Sequence, residues 1–158
     1  MHDEASSSLY SQVNQLTIGI DFVKRQLRTR PRFQWHIDPF GHTATSPIVF
    51  AGMGYSAFVI NRVPNNVKMY RRATKTLEFL WDALDSPLAN KDSEIFAHLL
   101  DSHYDPPQLT GNTVPQKATS FIQACEQKAA WYNTSNILIP WGNDFGYVNA
   151  AGECELFC

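Results

Sequence analysis

The chain has 158 residues, enough for one domain with a core but short of the roughly 250 of a typical eight-stranded α/β barrel. A formal net charge of −2, with no basic run, excludes an electrostatic footprint for nucleic acid or an anionic membrane. No apolar run approaches the roughly 18 residues of a spanning helix, and the opening MHDEASSS lacks the basic and apolar segments of a signal peptide.

In chain order, Val13, Leu16, Ile20, Val23 and Leu27 recur at spacings of four and three, which predicts a helix behind the serines 6–8 that ends before Pro31. Phe33, Trp35 and Ile37 alternate with Gln34 and His36, which predicts a strand over 33–37 with its apolar side buried. A turn at Pro39-Phe40-Gly41 leads to a second helix, Ala44 to Met53, closed by Gly54, and then to a strand, Tyr55 to Ile60. Tyr70, Ala73, Leu77, Trp81 and Leu84 share one face of a helix expected over Val67 to Leu84, with Arg71, Arg72 and Lys75 on its solvated side. A loop-rich region follows from Asp85 to about Pro115, with Ile95 to Leu100 as a short strand or helix inside it. Ala118, Phe121, Cys125, Ala129 and Tyr132 line a further helix, and Ile137-Leu138-Ile139 reads as a buried parallel strand. Helix and strand alternate throughout, which argues an α/β fold with a parallel sheet. Three cysteines, Cys125, Cys154 and Cys158, are odd in number and hold no C-x-x-C pair, so neither a disulfide framework nor a zinc ribbon is indicated. Asn133-Thr134-Ser135 is a glycosylation sequon, relevant only to a luminal chain.

Asp38 follows the first strand and Asp144 the last, so in a parallel sheet both would face one crevice. Paired carboxyls there suit work on a glycosidic bond, one capturing the cationic sugar carbon and the other protonating the leaving oxygen. The same spacing also suits two acids that cap the turns after them. His36, Asp38 and His42 would suit zinc by ligand type, but the turn at Pro39 and Gly41 works against convergence, and a strand histidine commonly satisfies a local hydrogen bond. His98 and His103 are expected in surface loops. Arg62 could pair with a carboxylate in the crevice or cap the sheet. Tyr104 could donate a hydrogen bond there or pack as core, and Phe40 could be a sugar platform or a staple under the turn.

The segments Trp35-His36-Ile37-Asp38-Pro39-Phe40-Gly41-His42, Ile60-Asn61-Arg62, Leu77-Glu78-Phe79-Leu80-Trp81, Tyr104-Asp105-Pro106-Pro107 and Asn143-Asp144-Phe145-Gly146-Tyr147-Val148-Asn149-Ala150 together resemble the class II α-mannosidases, glycoside hydrolase family 38. The last is most similar to lysosomal-type members. Met1-His2-Asp3-Glu4-Ala5 is similar to a segment lying inside the family's N-terminal catalytic domain.

The resemblance implies a retaining, zinc-dependent enzyme that removes terminal α-mannose from N-glycan-type oligosaccharides in the lysosome or the secretory-pathway lumen. It implies Asp38 as nucleophile and zinc ligand, Asp144 as general acid/base, and Phe40, Arg62 and Tyr104 as substrate-binding residues. Residues 1–150 are then a partial parallel (β/α) barrel of the catalytic domain, incomplete at both ends, and 151–158 a divergent tail. The other zinc ligands would lie outside this chain, leaving it inactive and marginally stable alone. The alternative is a truncated product that binds mannose-type glycans without catalysis, or has no function.

Overall fold

The computed structural model describes residues 1–84, 94–149 and 151. The start of the expected loop region, 85–93, Ala150, Cys154, Cys158 and all of the tail but Ala151 lie outside the described residues.

Helix α1 (Leu9–Leu27) starts where the Ser8 hydroxyl accepts the Ser11 N–H and ends at Arg28, whose φ of 52° is left-handed. Its stripe is only partly used: Leu16 is buried and Ile20 rests on the core, while Val13 and Leu27 stay exposed. Strand β1 (Phe33–His36), helix α2 (Thr45–Gly52), strand β2 (Ala57–Ile60) and helix α3 (Asn65–Ala73) follow in the expected alternation. Gly54, at φ +80°, turns the chain out of α2, and a Cβ there would meet the Arg30 guanidinium at 3.1 Å.

The helix expected over Val67–Leu84 is instead α3 followed by strand β3 (Glu78–Asp82). Thr74 bonds back to the Tyr70 carbonyl, Lys75 takes a φ of 53° and the Thr76 N–H returns to Arg71, which together end the helix. Leu77, Phe79 and Trp81 then alternate toward the core with period two, so the four-residue spacing of Leu77 and Trp81 fits strand and helix alike. The basic side chains are not simply solvated. Arg71 lies 4.1 Å over Phe79, and Arg72 lies 4.5 Å over Trp131 and donates to the Asp101 carbonyl at 2.6 Å.

Strand β4 (Glu94–Leu99) completes a four-stranded sheet in the order β1-β2-β4-β3. β1, β2 and β4 are parallel, whereas β3 runs antiparallel to β4, so the expected all-parallel sheet holds for three strands. Helix α4 (Val114–Ala129) opens with a capping box between Thr113 and Gln116. Ile137–Ile139 form no strand: Ile137 packs on the core and Leu138 is 38% exposed, just before Pro140, which has no N–H for a ladder.

The core gathers Leu16, Phe50, Tyr55, Phe58, Ile60, Leu77, Ala97 and Leu99, and Phe50 and Phe58 are each worth about 1.5–3 kcal/mol as fully buried side chains. The sheet turns its other face to this core from the one expected at β1. Gln34 and His36 are buried there, and Phe33 and Trp35 are 65% and 44% exposed. The register explains it, because Gln34 and His36 align with Phe58 and Ile60 on the helix-covered side. His98 is likewise not a loop residue. It lies in β4, buried, stacked on Tyr132 at 5.2 Å and bonded to Glu78 at 3.0 Å.

Candidate active site

In register, His36 aligns with Ile60 and Ile60 with Leu99, so the three parallel strands end side by side. Just beyond those ends come Asp38 after β1, Arg62 after β2 and Tyr104 after β4, which is why residues distant in sequence meet at one edge of the sheet.

Asp38 is half-buried; its Oδ1 accepts from Arg62 Nε at 2.6 Å and the Tyr104 hydroxyl at 3.2 Å, and forms an ion pair with Arg62 Nη2 at 2.5 Å. The hydrogen bond to Asp38 raises the Arg62 pKa, so this cation stays charged. Its guanidinium also lies 4.5 Å over the ring of Phe40, which is 76% exposed and presents an open apolar surface beside the carboxylate. Gly41, at φ +108°, lets the chain turn directly after Phe40.

The Tyr104 hydroxyl is also 3.1 Å from Oδ1 of Asp144. Asp144 does not follow a strand as expected. It sits in a turn whose Asn143 side chain accepts the Asp144 N–H at 2.7 Å and whose Gly146 N–H returns to the Asn143 carbonyl. Tyr104 is 6% exposed; burial, then the hydrogen bond to Asp144 and the Asp38 charge, push its phenol above the ordinary value. It therefore packs as core with Ile37 and Leu100 and donates into the crevice as well.

Trp35, Ile37, Asp38, Tyr104, Trp141 and Asp144 line a cleft of about 260 Å³. That is below the roughly 300–1,000 Å³ of pockets for drug-sized ligands. Trp141, held edge-on by Phe121 of α4, is a cleft residue the sequence does not single out.

The opening segment supplies the other unanticipated group. Glu4 Oε1 accepts from His36 Nε2 at 2.7 Å and His42 Nδ1 at 3.1 Å, and its Oε2 accepts the Thr43 N–H at 2.6 Å. Burial pushes the Glu4 pKa up, but the hydrogen bonds from His36, His42 and the Thr43 N–H outweigh it and hold the carboxyl well below the usual range. Glu4, His36 and His42 are the one group of three possible metal ligands among the described residues, their ligand atoms within 4.8 Å of one another. The separations are hydrogen-bond lengths and the second oxygen is taken by a backbone N–H, so protein donors satisfy this carboxylate.

Asp38 is not in that group, so the trio His36, Asp38 and His42 does not converge. Among the described residues no set of three possible ligands includes Asp38, and two side chains already hold its Oδ1. The described residues around Asp38 do not by themselves make a zinc site.

Two carboxyls joined through one hydroxyl, Asp38 just beyond the end of β1 and Asp144 in a turn, fit the arrangement used by hydrolases that act through an acid and a nucleophile. The chain belongs to glycosyl hydrolase family 38: the family described as "Glycosyl hydrolases family 38 N-terminal domain" matches residues 1–156. It is similar to the lysosomal alpha-mannosidase of Dictyostelium discoideum, 33% identical over 95% of this chain and 16% of that protein. It is 35% identical to alpha-mannosidase D of the same organism, over 96% of this chain and 13% of that protein. The human epididymis-specific alpha-mannosidase is 32% identical, over 96% of this chain and 18% of that protein. The chain thus spans less than a fifth of the length of these curated relatives. Among solved structures, an alpha-mannosidase from Enterococcus faecalis V583 shares the fold with a TM-score of 0.69 at 16% identity, over 99% of this chain and 17% of that one.

Proposed function

We propose that this chain carries the nucleophile and the acid/base of a retaining α-mannosidase acting on terminal mannose of N-glycan-type oligosaccharides. The observation that carries the reading is Tyr104, whose hydroxyl lies 3.2 Å from Asp38 and 3.1 Å from Asp144. Two oxygens in contact with one hydroxyl cannot stand as far apart as the roughly 6.5–9.5 Å of inverting enzymes, which favours retention.

The contacts support a division of roles. One hydroxyl hydrogen cannot serve two carboxyls fully, so the two acids are not equivalent. Arg62 sits on Asp38 and suits it to the part of nucleophile, which leaves Asp144 the part of acid. With Oδ1 of Asp38 held by Arg62 and Tyr104, Oδ2 is the attacking oxygen. It forms a bond to the anomeric carbon as the glycosidic C–O bond breaks, and Asp144 gives its proton to the departing oxygen. Water then attacks the same carbon, Asp144 takes its proton, and the ester bond to Asp38 breaks to release mannose. Phe40 offers its face to the sugar, and Trp35 and Trp141 line the cleft.

Zinc, implied by the family, would need ligands other than those the described residues bring to Asp38. In this reading residues 1–150 belong to a catalytic (β/α) barrel, 151–158 are a tail distinct from it, and the protein works in the lysosome or the secretory-pathway lumen. No described helix is long and apolar enough to cross a membrane. In the protein as its native transcript encodes it, Asp38→Asn and Asp144→Asn should each lower hydrolysis of an aryl α-mannoside by more than about 100-fold. Azide should restore turnover to the Asp144 variant when the leaving group needs no proton. Full activity in either variant would refute the assignment, and mannoside binding without turnover in every form would favour the glycan-binding reading.

A further inference from the structure

The segment carrying Asp38 is short, exposed at Phe40 and turned by Gly41, yet its aspartate must be held within a fraction of an ångström. What fixes it comes from the opening segment. The Glu4 side chain, 3% exposed, bonds to His36 on one side of Asp38 and to His42 and the Thr43 N–H on the other. One carboxylate thus closes both ends of the loop 37–41 onto the sheet and onto the approach to α2.

The tautomers follow from the contacts. His36 must carry its proton on Nε2 and His42 on Nδ1 to donate to Glu4, and the remaining nitrogens, His36 Nδ1 and His42 Nε2, are buried without a partner. The rings are therefore oriented from the Glu4 side, and His36 is further packed edge-on against Phe50 at 5.3 Å. Glutamine at position 4 would keep one acceptor but set an NH₂ donor against N–H donors, leaving buried groups unpaired.

We propose that Glu4 is a positioning residue for Asp38, an anionic staple that holds the loop so that Oδ1 stays on Arg62 and Oδ2 faces the sugar. Its effect on rate rests on the reading of Asp38 as nucleophile; its effect on geometry does not.

The test compares wild type, Glu4→Gln, Glu4→Asp and His42→Gln in the protein as its native transcript encodes it. The first readout is crystallographic: in Glu4→Gln the Asp38–Arg62 contact should open and the carboxylate move by about 1 Å, and kcat for an aryl α-mannoside should fall about 100-fold. KM should stay within about twofold, because Phe40 and the cleft aromatics remain. Glu4→Asp, which keeps the charge, should recover most of the loss. An unmoved Asp38–Arg62 pair in Glu4→Gln, or a rate within about twofold of wild type, overturns the proposal. Should Glu4→Gln fail to fold, His42→Gln, which frees one end of the staple, is held to the same two readouts. Undiminished hydrolysis by Asp38→Asn would refute the functional reading alone, with the crystallographic comparison still deciding the role of Glu4.

Discussion

Arg62 places its guanidinium 4.5 Å over the Phe40 ring while its Nε and Nη2 both reach Oδ1 of Asp38. One side chain therefore ties the exposed aromatic surface to the carboxylate. Both partners of the ion pair are about one-third exposed, and such pairs add only about 0–1 kcal/mol to stability. Arg62→Lys keeps the charge but loses the planar contact with the ring and the two-point grip on one oxygen. It should leave the melting temperature within a few degrees of wild type and lower kcat/KM about tenfold or more, as thermal unfolding and steady-state kinetics would show. A large fall in melting temperature with unchanged kinetics would make Arg62 structural.

Tyr104→Phe deletes the hydroxyl shared by the two acids while keeping the ring that packs on Ile37 and Leu100. Loss of one oriented donor at a reacting centre costs about 10²–10³-fold in rate. The expected result is a kcat lower by that order with a folded protein and a similar KM, read from initial rates.

Behind the site, Lys128 Nζ pairs with the Asp101 carboxylate, whose side chain is 2% exposed, and Tyr132 and Ser102 donate to the same group. Lys128→Met leaves that charge buried without its cation, a change that costs about 3–5 kcal/mol. Urea unfolding should show a loss of that size, and the double variant Lys128→Met with Asp101→Asn should recover part of it.

Lys68 is buried beside Asn61 and donates to its side chain and to the Ser102 carbonyl, both at 2.8 Å. Burial, with the nearby Arg72 charge, lowers its pKa to about 8 from an ordinary 10.5. Between those values the folded state has lost a proton that the unfolded chain still holds, so this group makes stability rise with pH from about 8 toward 10.5. Lys68→Met should flatten that part of the profile, measured as unfolding free energy against pH. An unchanged slope would place the folded pKa near the ordinary value.

The alternation of helix and strand was legible because α1, α2 and α4 each show an apolar face with recognisable ends, and the Asp38 loop because a proline and a glycine frame it. β3 was not, because Leu77 and Trp81 satisfy helical spacing as well as strand alternation and only the residues 74–76 break the helix. The inverted face of β1 was hidden for a different reason: hydrophobicity predicts which side is buried only where both sides compete for the same cover, and here the helices lie on the Gln34 and His36 side. In the site, the positions of Asp38 and Arg62 could be anticipated from strand ends, whereas Phe40 was suggested by the turn and Tyr104 by the family resemblance. Glu4 could not be derived from any local pattern, since its partners lie at the end of β1 and beyond it, more than 30 residues on, and no sequence spacing encodes that closure.

The chain brings no set of three possible metal ligands to Asp38 among its described residues. The 158-residue chain supplied with zinc should therefore show no hydrolysis of an aryl α-mannoside. Turnover that a chelator abolishes and zinc restores would show that the metal site can be completed within it.

As the proposed nucleophile, Asp38 should form the covalent intermediate. The most direct measurement is to trap it, in the protein as its native transcript encodes it, with a fluorinated mannosyl fluoride that slows breakdown of the ester, and to sequence the labelled peptide by mass spectrometry. The account predicts one sugar bound to Asp38. A label on Asp144, on Glu4 or on no residue during active turnover would contradict it.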